Sequence, residues 1–240
     1  MIRHPFLYIL PNIFTAASAY IGVLSVIYSI NGRFELAAWL VVIAAIFDGL
    51  DGRIARATGT TSKFGMEFDS LSDVIAFGVA PSVLIYTSMG SEFGKFGALV
   101  SALFVVFGAI RLARFNVTTV SEPNVFIGLP IPAAAVFCVS WVLVIKTYDL
   151  DKYTYLFLGV VLLAAFLMVS NIRYPSFKKL NALKQNFKKL LIIIITLLSF
   201  VYLYPAEGIA LLSTLFIFGG IIRAIYYIIR KKASPTNISS

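Results

Sequence analysis

Residues 48–73 read DGLDGRIARATGTTSKFGMEFDSLSD, which places Asp48, Asp51, Asp69 and Asp73 inside stretches otherwise apolar enough to enter a bilayer. One carboxylate near a bilayer centre costs about 2.5–3.5 kcal/mol, so four of them need positive charge among them. Divalent metal is the simplest source, because hard cations such as Mg²⁺ take carboxylate oxygens. Residues three and four apart share a helix face. Asp48, Asp51, Gly52 and Ala55 therefore form one stripe with Arg56 beside it, and Gly65, Asp69 and Asp73 form a second. Residues 57–63 (ATGTTSK) between them predict a turn. Two antiparallel helices are thus expected to present two carboxylates each to a shared space, with small residues leaving room for a bulky ligand.

The elements that carry these stripes belong to a membrane. Of the 240 residues 60% are hydrophobic and only 13% charged, and the mean hydropathy is +0.92. That composition excludes an ordinary soluble domain and reads as an all-α, polytopic integral membrane bundle. The single cysteine, Cys138, lies in an apolar run, so no disulfide forms within one chain. The sequence passes from MIRHP directly into a full-length apolar segment, which reads as a first span and not as a cleavable leader. A net charge of +9 would suit nucleic acid, but in a membrane chain it marks cytoplasmic loops that meet anionic headgroups. No nucleic-acid partner is expected.

About eight spans are predicted, near 11–30, 35–56, 64–88, 95–115, 129–147, 153–171, 188–205 and 207–229. They make one transmembrane domain over 1–230, followed by a polar tail at 231–240. With eight spans, only Arg33, Lys95, Lys146 and Lys152 of the 20 basic residues fall on one side, and the other 16 fall opposite. The positive-inside rule then puts both termini and the carboxylate cluster at the cytoplasmic face. The connection at 172–187 (IRYPSFKKLNALKQNF) has the composition of an interfacial segment on anionic lipid. Pro11, Asn12, the stretch RLARFN at 111–116 and GLPIP at 128–132 all converge on that same side, which suits a site open to cytosol and inner-leaflet lipid.

The residues Asp48, Asp51, Gly52, Ala55, Arg56, Gly65, Asp69 and Asp73 fill all eight fixed positions of the pattern DxxDGxxARx8GxxxDxxxD. The chain thereby resembles the CDP-alcohol phosphotransferase family. RLARFN at 111–116, FIGLPIPAAA at 126–135, and Pro11, Asn12 and Thr15 are similar to its phosphatidylserine synthase branch. The resemblance implies six core transmembrane helices, a homodimer, two Mg²⁺ or Mn²⁺ ions and a CDP-linked lipid donor.

Carried onto this sequence, the resemblance makes Asp48, Asp51, Asp69 and Asp73 metal ligands, with Asp73 also the general base. Gly52, Ala55 and Gly65 line the cytidine pocket, and Arg56 holds diphosphate oxygens. Serine is the expected acceptor, its carboxylate met by Arg111 and Arg114, with Asn12, Thr15 and Asn116 adding hydrogen bonds. No serine or cysteine nucleophile stands near a histidine in sequence, and the sole histidine is His4. Direct transfer without a covalent intermediate is expected. Two alternatives remain: a sister enzyme using glycerol 3-phosphate or an inositol phosphate, and a cation-coupled transporter whose carboxylates relay ions.

Overall fold

Long apolar runs have no polar alternative in lipid and satisfy their backbone as helices. In the computed structural model, which describes residues 6–118, 125–175 and 187–233, they do so in chain order. The helices are α1 (Phe6–Ile30), α2 (Phe34–Thr58), α3 (Lys63–Asp73), α4 (Ala80–Ser88), α5 (Gly94–Thr118), α6 (Ile131–Thr147), α7 (Thr154–Val169), α8 (Phe187–Leu203) and α9 (Pro205–Ala233). A π-helical turn, Val74–Val79, fuses α3 and α4 into one rod. The described residues therefore form eight rods, as the hydropathy pattern predicts.

Five stretches among the described residues, Ile9–Ile30, Lys63–Ser88, Gly90–Val117, Asp151–Val169 and Pro205–Ala224, are long and apolar enough to cross a membrane. The chain is thus a multi-pass membrane protein. The remaining rods fall short for separate reasons. α2 has 25 residues but carries the carboxylates. α6 and α8 have 17 residues each, about 25 Å of helix, at the lower limit for a span.

The π turn has a local cause. Pro81 cannot donate a backbone hydrogen bond and crowds the carbonyl four residues back. The wider turn upstream absorbs this, with Ala80 N–H donating to Ile75 O, five residues back. The turn begins directly after Asp73.

Helices cannot gain hydrophobic energy by leaving lipid for one another, so small residues and hydroxyls hold them together. Ser18 Oγ donates to Ala44 O (3.2 Å) and Ser25 Oγ to Ala37 O (2.8 Å), fastening α1 to α2. Gly22 lies so close to the π turn that a Cβ there would sit 2.7 Å from Ala76 Cα. Ala37, Ala38, Val41, Phe77, Leu84 and Phe104 are fully buried within this core.

The loops at the α2 end of the bundle are tied as well. A short antiparallel ribbon pairs β1 (Val125–Ile127) with β2 (Arg173–Pro175), Phe126 opposite Tyr174. Gly128 has φ 78°, and its N–H donates to Ile172 O at 2.8 Å. A Cβ there would overlap the Met168 carbonyl oxygen, so only glycine fits. On the outer side, α9 packs on α6, with Trp141 Nε1 donating to Thr214 Oγ1 (3.0 Å), and α8 packs on α9. Most of the 172–187 connection, the tail from residue 234 and His4 lie outside the described residues; α9 itself continues to Ala233.

Candidate active site

The helix ends that frame the cluster are closed by their own sequence. α2 stops at Gly59 (φ 63°, ψ 33°), whose N–H reaches Arg56 O while Thr60 N–H reaches Ala55 O. This is a left-handed glycine terminator. α3 starts at Ser62, whose Oγ accepts from Gly65 N–H at 3.0 Å. Gly65 is also confined from the other side, since a Cβ would lie 3.4 Å from Asn12 Oδ1. The predicted turn at 57–63 is therefore narrower, because α2 runs on through Thr58.

These ends bring the two carboxylate stripes together. Asp48, Asp51 and Asp69 each offer an oxygen within 4.8 Å of the others. Asp73 stands one turn deeper on α3, buried and next to the same cluster. Carboxylates at such separations repel strongly in a medium of low dielectric constant. Two guanidiniums oppose them: Arg111 faces Asp73 and Asp48, and Arg56 faces Asp51. Four ionised carboxylates against two guanidiniums would leave two negative charges unbalanced.

The unmet atoms point the same way. Among the described residues, Asp69 Oδ1, Asp73 Oδ1 and Arg111 Nε are buried without a hydrogen-bond partner, and of such side-chain atoms only Ser101 Oγ, farther along α5, lies away from the cluster. A buried polar atom left in that state is costly and calls for a water, an ion or a ligand to satisfy it. An all-oxygen set of clustered carboxylates with unmet lone pairs fits Mg²⁺ or Mn²⁺ by charge and by ligand type.

Around the cluster, each remaining predicted residue has a definite place. Arg56 folds back over Gly52, where a Cβ would sit 3.3 Å from Nη1. Ala55 is half-buried on the same face. Arg111 is buried, with its guanidinium carbon 5.6 Å from the centre of the Phe115 ring. Arg114 lies one turn on, but its fork is engaged elsewhere. Nη1 donates to Val169 O (3.0 Å) and Asn171 Oδ1 (3.4 Å), and Nη2 to Ser170 O (3.0 Å) and Ile127 O (3.3 Å). Asn116 Nδ2 donates to Ser70 Oγ (3.0 Å) and Glu67 Oε2 (3.4 Å), joining α5 to α3. Thr15 Oγ1 donates to Asp51 Oδ2 at 2.6 Å, with Pro11 O also within reach at 3.2 Å.

Sequence reasoning missed Ser62, Glu67, Ser70, Ser72 and Gly22. Ser62 was discoverable as a cap residue three places before Gly65. Ser72, adjacent to Asp73, donates to Thr15 O at 2.9 Å, and no local pattern announces that bond.

Comparison with known proteins agrees with this geometry. The CDP-alcohol phosphatidyltransferase family matches residues 8–172. A CDP-diacylglycerol--serine O-phosphatidyltransferase of Helicobacter pylori strain J99 is 53% identical over 227 residues, 93% of this chain and 94% of the relative. An archaetidylserine synthase of Methanothermobacter thermautotrophicus is 43% identical over 169 residues, 69% of each chain. The four-carboxylate cluster at the α2–α3 junction lies inside the matched region, and the chain belongs to the CDP-alcohol phosphatidyltransferase family of membrane enzymes.

Proposed function

We propose that the protein transfers a phosphatidyl-type group from a CDP-activated lipid to L-serine and releases CMP. The observation that carries this reading is the set of unmet buried atoms on Asp69, Asp73 and Arg111, which gives one site both an anionic and a cationic vacancy for ligands. The names of the relatives support serine as acceptor.

Asp48, Asp51, Asp69 and Asp73 hold the metal, two ions in all, on this reading. Bound Mg²⁺ or Mn²⁺ supplies positive charge for the diphosphate oxygens and the departing CMP. Arg56, exposed beside Asp51, grips the diphosphate with its planar fork. Gly52, Ala55 and Gly65 keep the floor low enough for the cytidine. Arg111 binds the serine carboxylate, while Arg114 holds the loop behind it through the carbonyls of Ile127, Val169 and Ser170. Asn12 and Asn116 flank the acceptor.

The serine hydroxyl oxygen attacks the lipid-side phosphorus, and the bond to the CMP oxygen breaks as the new one forms. The hydroxyl proton passes to Asp73. On this reading one Asp73 oxygen ligates and the other takes the proton, and Oδ1 meets no donor among the described residues. A phosphorylated polyol brings a dianion and calls for more cations on the acceptor side. With Arg114 engaged by carbonyls, Arg111 alone faces the cluster from α5, which favours a carboxylate. The charge partition supports reading this end and both termini as cytoplasmic, and the resemblance to the family supports a homodimer.

The test is CMP release by purified protein given CDP-lipid and Mn²⁺ or Mg²⁺, with acceptors added singly. Release that requires L-serine and stops with EDTA is expected. Release only with a phosphorylated polyol overturns the acceptor, and ion flux in liposomes without CMP release overturns the enzyme reading.

A further inference from the structure

α3 packs on α1, and α1 also packs along the length of α2. The two carboxylate stripes are therefore held in register by a helix that contributes no carboxylate. One residue of α1 touches both. Thr15 Oγ1 donates to Asp51 Oδ2 at 2.6 Å, and Thr15 O accepts from Ser72 Oγ at 2.9 Å. Thr15 is 3% exposed and Ser72 3%, so water does not compete for either bond. The short Thr15–Asp51 bond engages one oxygen of the carboxylate and fixes its plane, while the Ser72 bond fixes the turn of α3 that carries Asp73.

We infer that Thr15 is a positioning residue for the metal site and not a contact for the acceptor. The bond chain Ser72–Thr15–Asp51 sets the separation between the α2 and α3 carboxylates before any ligand arrives. Asn12 and Gly22 bracket it on the same helix, at Gly65 and Ala76 respectively. Outer partners of this kind alter metal affinity by about ten- to a hundredfold when removed. The inference rests on the metal reading given above.

The test measures Mn²⁺ binding to purified, detergent-solubilised protein by electron paramagnetic resonance of free Mn²⁺, without substrate. Thr15→Val keeps the shape and removes the donor. It is expected to weaken Mn²⁺ binding by about tenfold or more while leaving the serine KM at saturating Mn²⁺ unchanged, and Thr15→Ser is expected to restore the affinity. Ser18→Ala removes another buried α1 hydroxyl, bound to Ala44 O, and is expected to leave Mn²⁺ affinity unchanged. Wild-type affinity in Thr15→Val overturns the inference, as does a raised serine KM with unchanged metal affinity, which would return Thr15 to the acceptor. Equal loss in Ser18→Ala would reduce the effect to general helix packing and also overturns it. Absence of Mn²⁺ binding by the wild type would overturn the metal reading itself, and the inference with it.

Discussion

At one end of the bundle Asp69, Asp73 and Arg111 carry buried atoms that no group among the described residues satisfies. At the other, Lys146 and Asp151 pair at 2.7 Å while 34% and 52% exposed, and Tyr148 donates to Glu207 at 2.7 Å. The residue types are the same, acids and bases in both places. Burial and unmet valence distinguish them: the outer pairs complete each other, whereas the inner groups keep atoms without a partner among the described residues. Polar groups in a membrane protein reveal function where the fold leaves them incomplete.

The sharpest way to break this comparison is to neutralise an inner carboxylate. Asp73→Asn is expected to lower CMP release by about 10²–10⁴-fold, the scale of a lost general base. In EDTA its melting temperature should not fall, because an amide removes one of the crowded carboxylates that repel each other while Arg111 keeps Asp48 opposite it. Near-wild-type turnover would mean that the inner acids are merely structural. Next, Arg111→Ala should raise the serine KM by roughly tenfold or more, as for a lost charged hydrogen bond, with donor KM little changed. An unchanged serine KM would remove Arg111 from the acceptor side.

Smaller effects test the scaffold. Gly22→Leu pushes a side chain onto the backbone at Ala76 and should destabilise by about 1–3 kcal/mol, with activity falling alongside because the π turn adjoins Asp73. At the outer end Lys146→Ala should change stability by less than about 1 kcal/mol and leave turnover alone. The smallest effect concerns pH. Tyr148 donates to the Glu207 carboxylate, which pushes the phenol above its ordinary range. Stability from that bond is complete below about pH 10 and is lost as pH rises through the raised value. Tyr148→Phe should accordingly flatten the decline of melting temperature in strong alkali.

Much of the site was legible because carboxylates in apolar helices are costly and must be there for a reason. Asp48, Asp51, Asp69 and Asp73 announced themselves by type and by spacing, and the family pattern then supplied Gly52, Ala55, Arg56 and Gly65. The eight rods followed from hydropathy and charge. What stayed hidden depends on tertiary contact. Arg111 and Arg114 are one type, one turn apart on one helix, and only the carbonyls of Ile127, Val169 and Ser170 set their surroundings apart. The bonds of Thr15 to Asp51 and Ser72 were hidden as well, because a hydroxyl in an apolar helix has no preferred partner in sequence. The α1 stripe of Asn12, Thr15, Ser18, Gly22 and Ser25 is visible at helical spacing, but small residues at that spacing are common in any packed membrane helix. The π turn needed the junction of Pro81 with the rod's own register.

The central claim is that the incomplete end of the bundle is completed by metal. Anomalous X-ray scattering at the manganese edge, from crystals grown with Mn²⁺ and a CDP-lipid, tests it most directly. The account predicts two peaks, both within the oxygens of Asp48, Asp51, Asp69 and Asp73. Peaks elsewhere, or none among those carboxylates in crystals whose donor is bound, would contradict it.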